Sequence, residues 1–109
     1  MSTINLVQGD TGPQIKVTVT REDTGAVVDM SGGTVRLKVR KRGASALSFT
    51  LTALDTGTNL ENGIALFVFN TGDLDVDPGN YQGEIEITFE DATVETIYET
   101  LDFFVREDF

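Results

Sequence analysis

The 109-residue sequence contains no cysteine, no histidine and no tryptophan. Without cysteine there is no disulfide, no thiolate zinc site, no iron–sulfur cluster and no cysteine nucleophile. Without histidine, His-based catalytic triads and imidazole metal ligands are excluded. The 11 glycines and 2 prolines are too few for a collagen-like or low-complexity chain. No apolar run approaches the roughly 20 residues of a membrane-spanning helix. The opening Met-Ser-Thr-Ile-Asn has no positive charge and no long apolar segment, so it does not read as a secretory signal. Bases are scarce too: 8 Lys and Arg stand against 18 Asp and Glu, a formal net charge of −10. A surface for nucleic-acid phosphates needs many clustered bases. Neither a nucleic acid nor a membrane is expected as a partner, and no cofactor is expected.

What remains is a soluble-type composition, 39% apolar and 24% charged, of a length that makes one domain over residues 1–109. The charge is unevenly spread. Residues 73–108 hold twelve acids and the single base Arg106, whereas residues 1–72 hold six acids and seven bases. Five of those bases lie together: Arg36, Lys38, Arg40, Lys41 and Arg42. Two readings stay open, a solvated strand face or a complementary contact with a neighbouring subunit.

Hydrophobic periodicity points to strands throughout. Ile4–Val7 forms a short first strand. Ile15, Val17 and Val19 alternate with Lys16, Thr18 and Thr20, the period of a half-buried strand. Val35, Leu37 and Val39 alternate with Arg36, Lys38 and Arg40, which puts the three charges on one face. Leu47, Phe49 and Leu51 repeat the pattern. Ile64 to Phe69 is apolar on both sides, which predicts a strand covered on both faces. Tyr81, Gly83, Ile85, Ile87 and Phe89 alternate with Gln82, Glu84, Glu86 and Thr88. The apolar parity changes between Tyr98 and Leu101, which predicts a bulge or brief break in the last strand. Phe49, Phe67, Phe69 and Phe89 are expected in the core. No helical stripe appears. Seven or eight short antiparallel strands, with turns every 8–12 residues, predict an all-β sandwich.

Leu74, Gly79 and Tyr81 stand at the entrance to a late strand, spaced as in the tyrosine corner of Greek-key sandwiches. In such a corner the Tyr hydroxyl bonds back to the upstream backbone.

Several pieces together resemble a known family. Ile4-Asn5-Leu6-Val7-Gln8-Gly9-Asp10-Thr11-Gly12-Pro13 and the strand after it are similar to the N-terminal Ig-like domain of phage baseplate upper proteins. So are Val35–Arg40, Gly63-Ile64, Gly72-Asp73-Leu74, Pro78-Gly79-Asn80-Tyr81, Gly83–Phe89 and the ending Phe103-Phe104-Val105-Arg106. The resemblance covers essentially the whole chain. It implies an Ig-like β-sandwich in a phage particle, made in the host cytoplasm and attached to the tail or baseplate. Its partners would be other virion proteins in a symmetric homo- or hetero-oligomeric assembly. In that family a C-terminal extension carries receptor-binding parts. Here the sequence ends at Phe109, directly after the last strand, so capsid decoration or neck and fibre attachment stays open beside the tail.

Chemistry offers less. Asp73, Asp75, Asp77 and Glu84 have the spacing of a calcium loop. Against that, Pro78 occupies the position where the sharp turn needs glycine, and Glu84 lies in a strand pattern. Glu84 and Glu86, with Glu95 and Glu99, are the carboxylates available for glycoside hydrolysis, but a row of like charges on a sheet is normally solvated. No catalytic residue is assigned and no enzymatic activity is expected. A weak carbohydrate- or receptor-binding role would use exposed aromatics, for which only Tyr81 and Tyr98 are suited. Phe103 and Phe104 are adjacent, so they point to opposite faces. With the terminal Phe109 they are the candidates for an apolar subunit contact, as the basic cluster is for a charged one.

Overall fold

The computed structural model describes residues 3–21, 23–54, 57–96 and 101–108. Eight strands account for its regular structure: β1 Ile4–Val7, β2 Gln14–Thr18, β3 Thr34–Lys41, β4 Leu47–Thr52, β5 Ile64–Val68, β6 Gly79–Thr88, β7 Val94–Thr96 and β8 Leu101–Arg106. One sheet has the order β1-β8-β6-β3-β4, with β7 also paired to β6; β2 and β5 form a second sheet. The expected all-β architecture is therefore present, with two sheets sharing one core.

The alternation seen in the sequence explains which face of each strand turns inward. Val35 and Leu37 of β3 stand opposite Ile87 and Ile85 of β6, and these four are buried together with Val39 and Tyr81. Ile15 of β2 and Ala65 and Phe67 of β5 close the core from the second sheet. Each such side chain stabilises the fold by about 1.5–3 kcal/mol of apolar burial. Gly83 lies inward at the centre of β6 for steric reasons. A Cβ there would fall 2.7 Å from the Phe103 ring and 2.8 Å from a Leu37 methyl.

Three expectations need correction. The strands are not all antiparallel: β1 runs parallel to β8, with Ile4 opposite Phe103 and Val7 opposite Arg106. The apolar run in β5 is not covered on both sides. Ala65 and Phe67 are buried, but Ile64, Leu66 and Val68 are half-buried, because their neighbours on β2 are the exposed Gln14, Lys16 and Thr18. Of the four expected core phenylalanines, Phe67 and Phe69 are buried, while Phe49 and Phe89 are half-buried at the core margin. Phe49 meets Phe69 edge-on, with ring centroids 6.1 Å apart.

A further expectation concerns strand parity. The expected break between Tyr98 and Leu101 falls mostly on 97–100, outside the described residues. The pairings on either side are informative nevertheless. Glu86 lies opposite Thr96, whereas Gly83 lies opposite Leu101, so three steps along β6 correspond to five along the last segment. The register on β6 therefore shifts by two residues between β7 and β8. Odd-numbered residues face inward on both sides, and Val94 is simply an outward, exposed valine.

Candidate interaction surface

The outer face of the larger sheet carries the residues singled out by charge. Arg36, Lys38 and Arg40 project from β3 on this face, as their spacing predicted. The neighbouring strand answers them with Glu86, Glu84 and Gln82, which stand directly opposite in register. A basic row therefore runs beside an acidic row. Lys38 reaches diagonally to Glu86, Nζ to Oε2 at 2.6 Å, in a pair that is partly shielded from water. Arg42, just beyond β3, pairs with Asp102 of β8 at 3.1 Å. Among the described residues Arg36, Arg40 and Lys41 are exposed and have no ion-pair partner.

A β-bulge shapes one corner of this face. Val39 pairs with Phe49 but Arg40 pairs with Leu47, so β4 holds one extra residue there. The bulge turns Leu47 outward and leaves it 53% exposed. Leu47, Ser45, Lys38, Arg40, Gln82 and Glu84 line a depression of about 100 Å³. Ligand pockets run to several hundred cubic ångströms, so this depression suits a protein side chain better than a substrate.

The C-terminal aromatics divide. Phe103 was expected at a subunit contact, and the structure overturns that. It is 1% exposed, faces inward beside Tyr81 and Ile4, and fills the space left by Gly83. Phe104, one residue on, faces outward between Asn80 and Asn5 and is 40% exposed. Phe109 lies outside the described residues.

The tyrosine corner is present. The Tyr81 hydroxyl donates to the Asp77 carbonyl, and Leu74 is buried beneath the same turn. Gly79 takes a φ of +146°, a backbone shape that a residue with a Cβ rarely adopts. Burial raises the Tyr81 pKa above the ordinary phenol value, and the nearby Asp77 charge adds to the effect. Tyr81 is thereby committed to the fold rather than to a sugar, and Tyr98 lies outside the described residues.

Among the described residues no group of three or more Asp and Glu is placed to hold a metal ion. Asp73 accepts the Asn70 backbone N–H in its own turn. Glu84 lies on the outer sheet face, away from that turn, and Glu95 pairs with Arg21 at 3.2 Å. Glu99 lies outside the described residues. Asp29 and Asp91 have lowered pKa values because Ser31 and Thr93 donate to them, first by hydroxyl and then by backbone N–H. Both serve exposed turns.

No protein-family model and no curated protein matches the sequence. A solved structure does match in shape: CopC from Methylosinus trichosporium OB3b. It superposes with a TM-score of 0.54 at 9% identity, over 98% of this chain and 86% of that one. At that identity the likeness shows the fold alone.

The sequence reading missed the acidic partner row. Glu84 and Glu86 have the same two-residue spacing as the bases, but only the β3–β6 register shows that the rows are adjacent. It also passed over Leu47, whose outward turn depends on the bulge.

Proposed function

We propose that this chain is a non-enzymatic structural module of a phage virion, held in the particle by contacts with other virion proteins. The tail or baseplate is the favoured location. The observation that supports this most is the outer face of the larger sheet. Among the described residues it is striped with opposite charges and holds a small depression. Such a face suits a protein surface of complementary charge. The family resemblance across the whole chain supplies the phage setting. A net charge of −10 favours solubility of the free subunit before assembly.

The unpaired cations of the stripe carry the test. In the variant Arg36→Glu with Arg40→Glu, incorporation into purified phage particles should fall at least about tenfold. The melting temperature should stay within a few degrees, because both side chains are exposed and unpaired. Unchanged incorporation would make the stripe a solvated face. Gold-labelled antibody on intact particles then distinguishes tail from head or neck. Absence of the protein from particle mass spectra would overturn the virion reading and reopen receptor or carbohydrate binding.

A further inference from the structure

We infer that copies of this chain join edge to edge, the β4 edge of one pairing with the β1 edge of the next. The two rims of the larger sheet differ in charge. Residues 34–54, the β3–β4 hairpin, carry five bases and no acid. The rest of the chain carries three bases and all 18 acids. At the opposite rim, Asp10 follows β1, and Glu107 and Asp108 follow β8. The Asp73–Asp77 loop joins them there: Gly9 N–H donates to Leu74 O and the Gln8 side chain donates to Val76 O.

Register places the opposite charges at the same end of the sheet. Arg40 and Lys41 lie opposite Gln82 and Tyr81, and Gly79 lies opposite Val105. The bases that end β3 and the acids that follow β1 and β8 are therefore level with each other. Directions agree as well. β3 is antiparallel to β4 and β6, β8 is antiparallel to β6, and β1 is parallel to β8. β4 consequently runs opposite to β1. A second copy in the same orientation would set β1 antiparallel against β4, acids level with bases, and outer faces continuous.

The β4 edge is open and unguarded along most of its length. Among the described residues β4 pairs with β3 alone, β5 meets the edge just beyond its end, where Leu54 N–H donates to Leu66 O, and residues 43–54 contain no charge and no proline. Sheet edges are normally protected by charge, proline, a bulge or brevity. β2 shows such protection, with Lys16 exposed at its centre and Pro13 just before it. β4 has only the bulge at its first residues, which leaves Phe49–Thr52 regular. β1 supplies four residues, also uncharged. A two-fold pairing of β4 with β4 would instead bring two five-base hairpins together, which like-charge repulsion disfavours. The joint is thus head-to-tail, of the kind that builds rings or filaments. It rests on the assembly reading only in requiring a protein partner. A chain that self-pairs in solution but is missing from particles would keep this inference and overturn that reading.

The absence of cysteine makes the test clean, since an introduced thiol is the only one in its chain. Asn5→Cys on β1 would be mixed in turn with Ser48→Cys, Thr50→Cys and Thr52→Cys, all exposed positions. Each variant is first checked for a native circular dichroism spectrum. Oxidation at high protein concentration and low salt should give mixed Asn5/β4 disulfide dimers. They should exceed β4 homodimers at least about fivefold and diminish in 0.5 M salt, as screening shortens the reach of the charges. Predominant β4 homodimers would replace the joint with a two-fold one. Monomers alone across all three mixtures would overturn edge pairing altogether.

Discussion

Leu37 and Lys38 are successive residues of β3 with opposite surroundings. Leu37 and its inward neighbours are buried in the core that both sheets share, while Lys38 and its outward neighbours see charge and solvent. The inner face is held by packing, where every methyl has a fixed place. The outer face is held by cross-strand ion pairs, which are individually weak. The difference separates two jobs within one strand. The inward residues specify the fold, and the outward residues are not needed for that packing.

Substitutions on the two faces test that separation, beginning where the effect should be largest. Leu37→Ala leaves a cavity between β3, β6 and Phe103 and should cost about 2–5 kcal/mol of unfolding free energy in urea titration. Gly83→Ala adds one methyl where the Phe103 ring and Leu37 already stand, and overpacking of this kind costs about 1–3 kcal/mol. A Gly83→Ala protein as stable as the parent would show that the core yields more than its packing implies. Tyr81→Phe removes the bond to Asp77 and should cost about 1 kcal/mol near neutral pH. Lys38→Ala should cost about 1 kcal/mol or less, since its pair with Glu86 is partly exposed. A loss as large as that at Leu37 would end the division between the faces.

Tyr81 also sharpens the comparison through pH. Its phenol has a raised pKa in the folded state, so the folded chain holds that proton more tightly than the unfolded chain. The associated stability is complete below the unfolded phenol value of about 10 and is lost as pH rises through the folded value. Melting temperatures from pH 8 to 11 should therefore fall more steeply in the parent than in Tyr81→Phe. Parallel curves would show that the hydroxyl titrates as it does in water.

Much of the inner face was legible because period-2 alternation is strong in residues 35–39 and 81–87. The tyrosine corner was legible because its parts are local: a leucine, a glycine and a tyrosine around one turn. Pairing was not. Phe103 and Phe104 are chemically alike, and only the register against Tyr81 and Asn80 decides which turns inward. The β1–β8 contact is parallel and joins the two ends of the sequence, beyond the reach of any local pattern. Lys38 and Glu86 lie 48 residues apart, so their pairing likewise depends on topology.

The parallel pairing of β1 with β8 also has a consequence in time. Among the described residues β1 has β8 as its sheet neighbour, and the two lie far apart in the sequence. On the ribosome, β1 must wait until β8, Leu101–Arg106, has emerged, and closing so long a loop is slow. The β3–β4 hairpin can zip up much earlier. One rim of the sheet is therefore available before the other exists, and a growing chain cannot offer both to its neighbours until β8 has emerged.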